Sequence, residues 1–361
     1  MLRAKILTIF CALVGLSACQ LSDPVTIPPD TSCPTRANVD GQAILLLSVR
    51  MRQCQNDQTS YGDLRAKRPD FAWYDASQPS RLNRASEADW RAALTRQVIE
   101  TQKPPIIFIH GYFNAAEEGN QRAAELRAIV GDWPIVSVTW PSYGQATKYF
   151  WDEANNEFSL ILLRREIQQI AHHHPGTTLI AHSMGNRILL DAVLHSKEPA
   201  SLFAKLIMAS PDVDRGMLAS RLSWAKGLGV PTTIYASRKD QALSGSWRLH
   251  GAPRAGDLSM GVRGRERAAI YRTLNNAQLV DTTPTRMSAF GHRDFTSTPE
   301  TRVDLCKVIN GGDLNETRAE YVRADEDGNA QVWASNFVLR KFGDNPPSCA
   351  PYRAPRRDEE A

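Results

Sequence analysis

Residues 177–190 constrain the fold of this chain more than any other stretch. They read TTLIAHSMGNRILL, a short apolar run that leads to Ser183 and is followed, after Gly185, by apolar residues at helical spacing. This pattern predicts a strand, a tight turn and a helix. A serine hydroxyl stands clear of so sharp a turn when small residues lie two positions before and after it, here Ala181 and Gly185. Because Ala181 replaces the usual glycine, a surface serine on an ordinary strand–helix turn fits the same residues. Features elsewhere in the chain are needed to distinguish the two interpretations.

Strongly apolar runs alternate with helical patterns between residues 106 and 312. The runs predict strands at 106–109, at 134–140, directly before Ser183, at 204–210, at 232–237 and at 277–281. Helical spacing predicts helices at 115–130, at 149–173, directly after Ser183, at 215–228 and at 299–310. Runs that are apolar on both faces belong to parallel strands buried between layers of helices. The predicted fold is therefore an α/β fold with one mostly parallel, doubly wound sheet and helices on both faces.

The segments on either side of this region carry weaker signals. Ser86 opens a predicted helix that runs to residue 100, and apolar residues at helical spacing predict another helix over residues 40–54. The pattern of residues 61–83 leaves their structure open. Residues 313–361 are mostly polar and end in charged residues. We therefore expect a folded domain over residues 40–312 that includes an N-terminal helical extension, followed by a polar C-terminal extension.

The first 19 residues resemble a bacterial lipoprotein signal. Two basic residues precede an apolar core at residues 6–14, and small residues before Cys19 form a cleavage site. The apolar core is too short to span a bilayer as a helix. Such a signal implies removal of residues 1–18, a lipid on Cys19 and a flexible tether over residues 19–39. A plain secretory signal or a short N-terminal anchor is the alternative.

The resemblance to a lipoprotein signal also carries an expectation about location. In that family the residue after the cysteine influences sorting, and Gln20, which is not aspartate, favours the outer membrane. We expect a protein of the cell envelope, lipid-anchored to the outer membrane, on a face that the sequence leaves open. Loss of residues 1–18 lowers the formal net charge from +4 to +2, because two basic residues leave with them. A chain so close to neutral gives no support for nucleic-acid binding.

Four cysteines remain beyond the signal and the lipidation residue: Cys33, Cys54, Cys306 and Cys349. An even number fits disulfide bonds in an oxidising compartment. Four cysteines allow three pairings, and we expect Cys33 with Cys54 and Cys306 with Cys349 because each pair is the nearest in sequence. None of them has a second cysteine or a histidine at metal-ligand spacing, so we expect no metal site and no cofactor.

Ser183 can act as a nucleophile if a base and an acid reach it from later strands. His292 lies between the last predicted strand and the last predicted helix, in a loop that can reach Ser183. Asp240 stands just beyond the second strand after Ser183, which is the commoner position for the acid. Asp212 and Asp214 stand one strand earlier and are the alternatives. These positions predict a triad of Ser183, Asp240 and His292.

Other histidines fit the role of the base less well. His250 is the second choice, but no predicted strand directly precedes it. Residues 172–174, all histidines, end a predicted helix before a proline, and we expect them to be solvated. His182 adjoins Ser183 and points elsewhere if the serine points into the site, so we expect it to pack.

Backbone amides complete the predicted site. His110, Gly111 and Tyr112 follow the first predicted parallel strand. The amide of Tyr112 is expected to pair with the amide of Met184, the residue after the nucleophile, to hold an oxyanion. Loss of one such donor typically costs about 2.7 to 4 kcal/mol of transition-state stabilisation.

Six short blocks, in this order, resemble a bacterial α/β-hydrolase family known as domain of unknown function 900. The blocks are His110–Asn114, Thr139–Ser142, Tyr149 with Asp152, Ala181–Arg187, Ser210–Asp214 and Gly291 with His292. The resemblance covers roughly residues 103–312 and implies the α/β-hydrolase fold and a Ser-Asp-His triad of the serine-esterase type. The substrates of that family are mostly unassigned, so the resemblance says little about what is cleaved.

These residues predict a serine hydrolase that cleaves a small carboxylic ester or other acyl substrate through an acyl-enzyme. A serine peptidase or amidase would share the triad, and a hydrolase-fold binding lipoprotein without activity is a third possibility. We expect the pocket walls to come from residues 140–149 and 243–265. The second wall is rich in Arg and Gly and either favours an acidic or polar substrate or is a solvated loop. One helix fills the segment between residues 210 and 232, so we expect no large cap domain there.

Overall fold

A computed structural model describes residues 33–224, 229–259, 277–285, 291–292, 295–324, 330–342 and 347–349. The described strands are β1 Ile44–Gln55, β2 Gln58–Tyr74, β3 Asn83–Arg84, β4 Ile106–Ile109, β5 Ile135–Thr139, β6 Thr177–His182, β7 Phe203–Ala209, β8 Thr232–Ala236, β9 Ala277–Asp281, β10 Arg318–Ala324 and β11 Ala330–Leu339. The described helices are α1 Glu87–Thr101, α2 Ala116–Val130, α3 Tyr149–His173, α4 Asn186–Leu194, α5 Pro199–Leu202, α6 Arg215–Trp224, α7 Gln241–His250 and α8 Pro299–Asn310.

All of these strands belong to one sheet, in the order β10-β11-β9-β8-β7-β6-β4-β5-β1-β2-β3. Neighbours from β11 to β1 are parallel, while β10 at one edge and β2 and β3 at the other are antiparallel to their neighbours. Apolar residues fill a separate core on each face of the sheet. Helices α1, α3, α4 and α6 contribute to one core, and α2 and α8 to the other. The predicted parallel, doubly wound α/β sheet is therefore confirmed.

Local patterns located most elements between residues 86 and 310 to within a few residues. Ser86 caps α1, since its hydroxyl accepts a hydrogen bond from the amide of Asp89 at 3.1 Å. The predicted helix over residues 215–228 is described as α6, and residues 225–228 lie outside the described part. Because the carboxyl ends of β4 to β9 share one edge of the sheet, the loops that follow them converge there.

The predicted helix over residues 40–54 was wrong, because this segment forms β1. Leu45 and Leu47 lie in one core while Ile44 and Leu46 lie in the other, so the run is buried on both faces. Apolar residues at helical spacing occur within any continuous apolar run, and periodicity alone could not separate the two structures. The hydrogen-bonded pairing of this segment with β2 and β5 shows that it is a strand.

Two segments with weak sequence signals also extend the sheet. Residues 61–83, whose structure the sequence left open, contribute most of β2 and pair along β1. The polar C-terminal extension contributes β10 and β11, and β11 pairs with β9 through the register of Asn336 with Leu279. The described part of that extension therefore belongs to the sheet of the hydrolase domain.

Both predicted disulfide bonds are confirmed. Cys33 is bonded to Cys54 near the end of β1, and Cys306 in α8 is bonded to Cys349. The predicted signal, the lipidation residue Cys19 and the tether as far as residue 32 lie outside the described residues. Among the helices that the structure describes, none is both long and apolar enough to cross a bilayer.

Candidate active site

Ser183 lies at the sharp turn that the sequence predicts. β6 ends at His182, residues 183–185 form one turn of 3₁₀ helix, and α4 begins at Asn186. Ser183 has a φ of +52°, a region that residues with a side chain rarely adopt. Such strain persists only where the surrounding structure holds it, and it is concentrated at functional sites.

Two glycines allow the loop after β4 to touch this turn. A Cβ atom at Gly185 would lie 2.9 Å from the carbonyl oxygen of Ile109, closer than a side chain tolerates. A Cβ atom at Gly111 would lie 2.7 Å from the Cβ of Ser183. The second small residue predicted at the turn, Ala181, is fully buried in β6. The backbone that carries Tyr112 is therefore held against the candidate nucleophile.

His292 pairs with Asp240. The ring Nδ1 lies 2.8 Å from Oδ2 and 3.0 Å from Oδ1 of this carboxylate, which is fully buried just beyond β8. Asp240 is also held in place as the N-cap of α7, because it accepts a hydrogen bond from the amide of Leu243 at 3.0 Å. When the Nδ1 proton of an imidazole is donated to a carboxylate in this way, the neutral form of the ring carries its acceptor lone pair on Nε2.

His182 connects the loop of His292 to the strand of the nucleophile. Its Nε2–H donates to the carbonyl oxygen of His292 at 2.8 Å, and the two rings lie 4.7 Å apart. His182 also packs, since its ring stacks on the ring of Phe295 at 5.2 Å. The packing expected of His182 is therefore present, but the hydrogen bond that draws His292 toward the turn of Ser183 was not predicted.

Asp212, the rival acid, is the centre of a different network. Its Oδ2 accepts a hydrogen bond from the Tyr149 hydroxyl at 2.6 Å, and its Oδ1 accepts one from Ser246 at 2.7 Å. Arg254 lies 3.3 Å from the same Oδ1. The amide of Asp212 donates to the carbonyl oxygen of Ser183 at 3.1 Å. This buried residue therefore stabilises the backbone of the turn.

The remaining candidates have other partners. Asp214 accepts a hydrogen bond from the amide of Met217 at the start of α6. His250 contacts Glu153 through Nε2 at 3.2 Å. Of the three histidines that end α3, residues 172 and 173 are exposed and residue 174 is half-buried. The carboxylate that meets the ring of His292 is therefore Asp240.

The peptide that joins Gly111 to Tyr112 is fixed by the side chain of His110. Burial lowers the pKa of His110 to about 3, with the nearby charge of Arg50 as a second cause, so the ring is neutral. Its Nε2 accepts from the amide of Trp140 at 3.2 Å, which leaves the proton on Nδ1 to be donated to the carbonyl oxygen of Gly111 at 2.8 Å. Since a trans peptide directs its C=O and N–H oppositely, this bond also orients the amide of Tyr112.

Arg50 ties the loops after β4 and β5 together. This buried guanidinium donates to the carbonyl oxygens of Asn114 at 2.8 Å and Ser142 at 3.0 Å, and to the hydroxyl of Thr139 at 2.9 Å. Burial lowers its pKa to about 10. Sequence reasoning missed Arg50 because β1 was predicted as a helix, although an arginine directly after the mostly apolar residues 44–49 was a visible signal.

Asp152 stabilises the same two loops from the start of α3. It is fully buried and accepts hydrogen bonds from the Ser142 hydroxyl at 2.5 Å, from the amide of Tyr143 at 2.9 Å and from the amide of Phe113. Burial raises the pKa of this carboxyl above its usual range. Phe113, next to the proposed oxyanion donor, has a φ of +62° and is therefore held in a strained conformation.

The candidate residues supply the parts needed for acyl transfer. A strained serine, a histidine–aspartate pair and two backbone amides lie on loops at one edge of the sheet. Met184 follows Ser183 in the 3₁₀ turn and is fully buried. Among the residues that the structure describes, no group of three or more His, Cys, Asp or Glu side chains could hold a metal ion.

Comparison with known proteins places this chain in a family. A family model described as "Alpha/beta hydrolase of unknown function (DUF900)" matches residues 86–309. None of the curated proteins matches the chain.

Solved structures of hydrolases are similar to this chain at low identity. Esterase PE8 is 16% identical, with 54% of this chain and 90% of that chain covered and a TM-score of 0.35. Carboxylesterase CesB (YbfK) from Bacillus subtilis is 10% identical, with coverages of 58% and 85% and a TM-score of 0.32. Aspergillus fumigatus lipase B is 12% identical, with coverages of 60% and 57% and a TM-score of 0.37. Likeness at this level carries no argument about substrate or mechanism.

Proposed function

Because the chain belongs to the DUF900 family of α/β-hydrolases, we propose that it is a serine hydrolase that cleaves carboxylic esters through an acyl-enzyme. One observation carries the proposal. The ring of His292 is bonded to the buried carboxylate of Asp240, while His182 bonds the backbone of His292 next to the strained turn of Ser183. A neutral imidazole so oriented suits a general base for a serine hydroxyl.

In the proposed reaction, Nε2 of His292 takes the proton of Ser183 as its Oγ attacks the ester carbonyl. Asp240 holds the Nδ1–H tautomer and stabilises the imidazolium that forms. The amides of Met184 and Tyr112 donate hydrogen bonds to the oxyanion of the tetrahedral intermediate. His292 then protonates the leaving alcohol, and a water activated by the same ring releases the acyl group from Ser183.

A fluorophosphonate probe tests the nucleophile. We expect the folded protein to be labelled at Ser183 and the Ser183→Ala variant to lose labelling. Ser210→Ala is the matched control, because Ser210 follows the neighbouring strand β7 and also has a positive φ, +43°. Absence of labelling in folded wild-type protein, or labelling that survives in Ser183→Ala, would contradict the proposed function.

Parallel assays on short-chain p-nitrophenyl esters and on peptide anilides separate an esterase from a peptidase or amidase. We expect turnover of the esters, because attack of Ser183 on the ester carbonyl expels p-nitrophenolate, which is a better leaving group than the amine of an anilide. Labelled protein that hydrolyses anilides faster than esters would keep the triad but overturn the assignment as an esterase.

For location, we propose attachment to the outer membrane through a lipid on Cys19. The signal-like sequence of residues 1–19 supports this, as do two disulfide bonds, which persist in an oxidising compartment. In bacteria grown with radioactive palmitate we expect a labelled protein in the membrane fraction. Cys19→Ala should abolish the label, whereas processed wild-type protein that carries no label would indicate a plain secretory signal.

A further inference from the structure

The first half of α3 exposes a group of large apolar side chains, which we call the α3 face: Phe150, Trp151, Phe158 and Ile161. Their exposed fractions are 62%, 43%, 40% and 68%. Eight large apolar side chains are exposed in the described part of the chain, and four of them are in this group. Single exposed apolar residues are ordinary, whereas a contiguous group marks a surface that contacts a partner or a membrane.

The four side chains lie on one side of the helix. Because each residue turns an α-helix by about 100°, their positions fall within about 100° of one another and extend over about 16 Å of its length. The buried residues Leu163, Ile167 and Ile170 lie on the opposite side, which packs in the core. The core therefore uses one apolar side of α3 and leaves the other uncovered.

Two basic side chains lie over rings of the α3 face. The guanidinium carbon of Arg65 is 4.9 Å from the centre of the Phe158 ring. The Nζ of Lys148 is 5.9 Å from the centre of the Trp151 ring. A basic group beside an apolar ring places a positive charge at the border of the apolar surface.

Other charges near the α3 face are mainly basic. Arg165 is exposed on the same side of α3, about one turn after the last apolar residue. Residues 67–68, a lysine and an arginine, are exposed and follow Arg65 in β2. Glu157 is exposed at the border of the face with the opposite charge, whereas Glu153 is paired with Arg187 at 2.8 Å. The surroundings therefore favour an anionic partner.

The N-terminal end of the described chain lies near the same region. Cys33 is bonded to Cys54 in β1, and the neighbouring strand β2 carries Arg65. Cys54 lies four positions along β1 from the residue that pairs with Arg65, or about 13 Å. Residues 20–32 separate Cys33 from the proposed lipidation residue, and a chain of this length spans at most about 45 Å. A lipid attached there is therefore tethered within reach of a bilayer at the α3 face.

We propose that the α3 face binds the surface of a bilayer that contains anionic phospholipids. Its apolar side chains enter the boundary between headgroups and acyl chains, and its basic residues lie at the lipid phosphates. Aromatic and aliphatic side chains flanked by Lys and Arg are the composition of helices that lie in a membrane interface. The inference depends on neither the proposed hydrolysis nor the lipid, since the exposed side chains themselves supply the contact.

Vesicle flotation tests the inference on protein without a lipid. The chain from Gln20 onward is secreted from a plain signal peptide that replaces residues 1–19. We expect it to float with vesicles of phosphatidylethanolamine and phosphatidylglycerol, and to bind vesicles of phosphatidylcholine alone at least about tenfold more weakly, because anionic lipid attracts the basic residues. High salt should weaken the binding to the anionic vesicles.

A matched pair of variants assigns the binding to the α3 face. Ile161→Ser should weaken binding to the anionic vesicles by about tenfold, because the variant loses a buried apolar side chain. Ile99→Ser is the control, since Ile99 is 63% exposed but lies on α1, and its binding should equal that of the wild type. Circular dichroism shows that both variants are folded.

Trp151 reports the contact directly. Phospholipids brominated on the acyl chain quench tryptophan emission only on contact, so we expect quenching in the wild type. In Trp151→Phe the vesicle binding should be retained while most of the quenching is lost. Quenching of undiminished strength in this variant would show that another surface enters the bilayer and would overturn the inference.

Three further outcomes would overturn it: no flotation of folded wild-type protein, equal binding by Ile161→Ser and Ile99→Ser, or a dimer in sedimentation that Ile161→Ser converts to a monomer, which would assign the face to a second copy of the chain. None of these affects the labelling of Ser183 by a fluorophosphonate. Loss of that labelling in protein that still binds vesicles would instead overturn the proposed function alone.

Discussion

At the scale of single residues, the pairing of His292 distinguishes two carboxylates that the sequence placed on adjacent loops. Asp240 bonds the imidazole, whereas Asp212 bonds Tyr149 and the backbone of the serine turn. Both side chains are buried and both follow parallel strands, so composition and spacing could favour one but not choose between them. The choice depends on which loop folds toward residue 292.

Asp240→Asn should therefore reduce kcat far more than Asp212→Asn. An asparagine presents the ring of His292 with the wrong tautomer, and in a triad this change costs about 10⁴ in kcat. Steady-state kinetics on a short-chain ester measures both variants, with circular dichroism to show that each is folded. A larger loss in Asp212→Asn would overturn the assignment of the acid.

Gly185 provides a second test at this scale. An alanine Cβ there would press against the carbonyl oxygens of residues 109 and 110, so Gly185→Ala should lose about 1 to 3 kcal/mol of unfolding free energy together with activity. Gly245→Ala is the control. Gly245 lies inside α7 with nothing within 4 Å of an added Cβ, and alanine there should stabilise by about 0.5 to 1 kcal/mol. Urea unfolding of the two variants should move in opposite directions.

At the scale of elements, β1 has a role in the site that lies outside the family match at residues 86–309. The strand inserts Arg50 between the loop after β4 and the loop after β5, and the backbone of both loops accepts its hydrogen bonds. Because β1 was predicted as a helix, the contribution of Arg50 to the site was missed as well. The predicted helix would have directed Arg50 differently, so its contact with the two loops was not predicted.

Arg50→Met should consequently destabilise the protein, by about 1 to 3 kcal/mol for each buried carbonyl oxygen that is left without a donor. Arg68→Met, at an exposed position of β2, is the control and should change stability by less than about 0.5 kcal/mol. Urea unfolding measures both. Equal stabilities of the two variants would show that Arg50 does not hold the loops, and a folded Arg50→Met variant should have a reduced kcat because the amide of Tyr112 is less well positioned.

At the scale of the whole molecule, one sheet and two cores hold the site. The sheet also includes strands from both ends of the described chain, and disulfide bonds fasten the segments before β1 and after β11. The lowered pKa of buried His110 makes the stability of the folded protein depend on pH. The folded state keeps the ring neutral down to about pH 3, whereas the unfolded state protonates it near pH 6.5.

Between pH 6.5 and pH 3 the unfolded state therefore binds a proton that the folded state does not. Stability should fall as the pH falls through this window, by at most about 1.4 kcal/mol for each pH unit from this residue. The raised pKa of Asp152 acts in the opposite direction, so the measurement is the difference in slope between wild type and His110→Gln. Equal slopes in urea unfolding at pH 6.5, 5.5 and 4.5 would contradict the prediction.

Sequence by itself determined the features that depend on neighbouring residues. The turn at Ser183, the cap at Ser86, the alternation of strands and helices and the pairing of nearby cysteines are local, and a pattern of side chains reports them directly. The order of Ser183, Asp240 and His292 along the chain was visible for the same reason.

Only the tertiary structure decided features in which the partner comes from far away in the sequence. These are β1 as a strand, Arg50 between two loops, His182 on the backbone of His292, and Arg65 over the ring of Phe158. Each depends on backbone or side-chain groups brought together by sheet pairing. Burial requires such groups to find hydrogen-bond partners, and local periodicity does not say which distant segment supplies them.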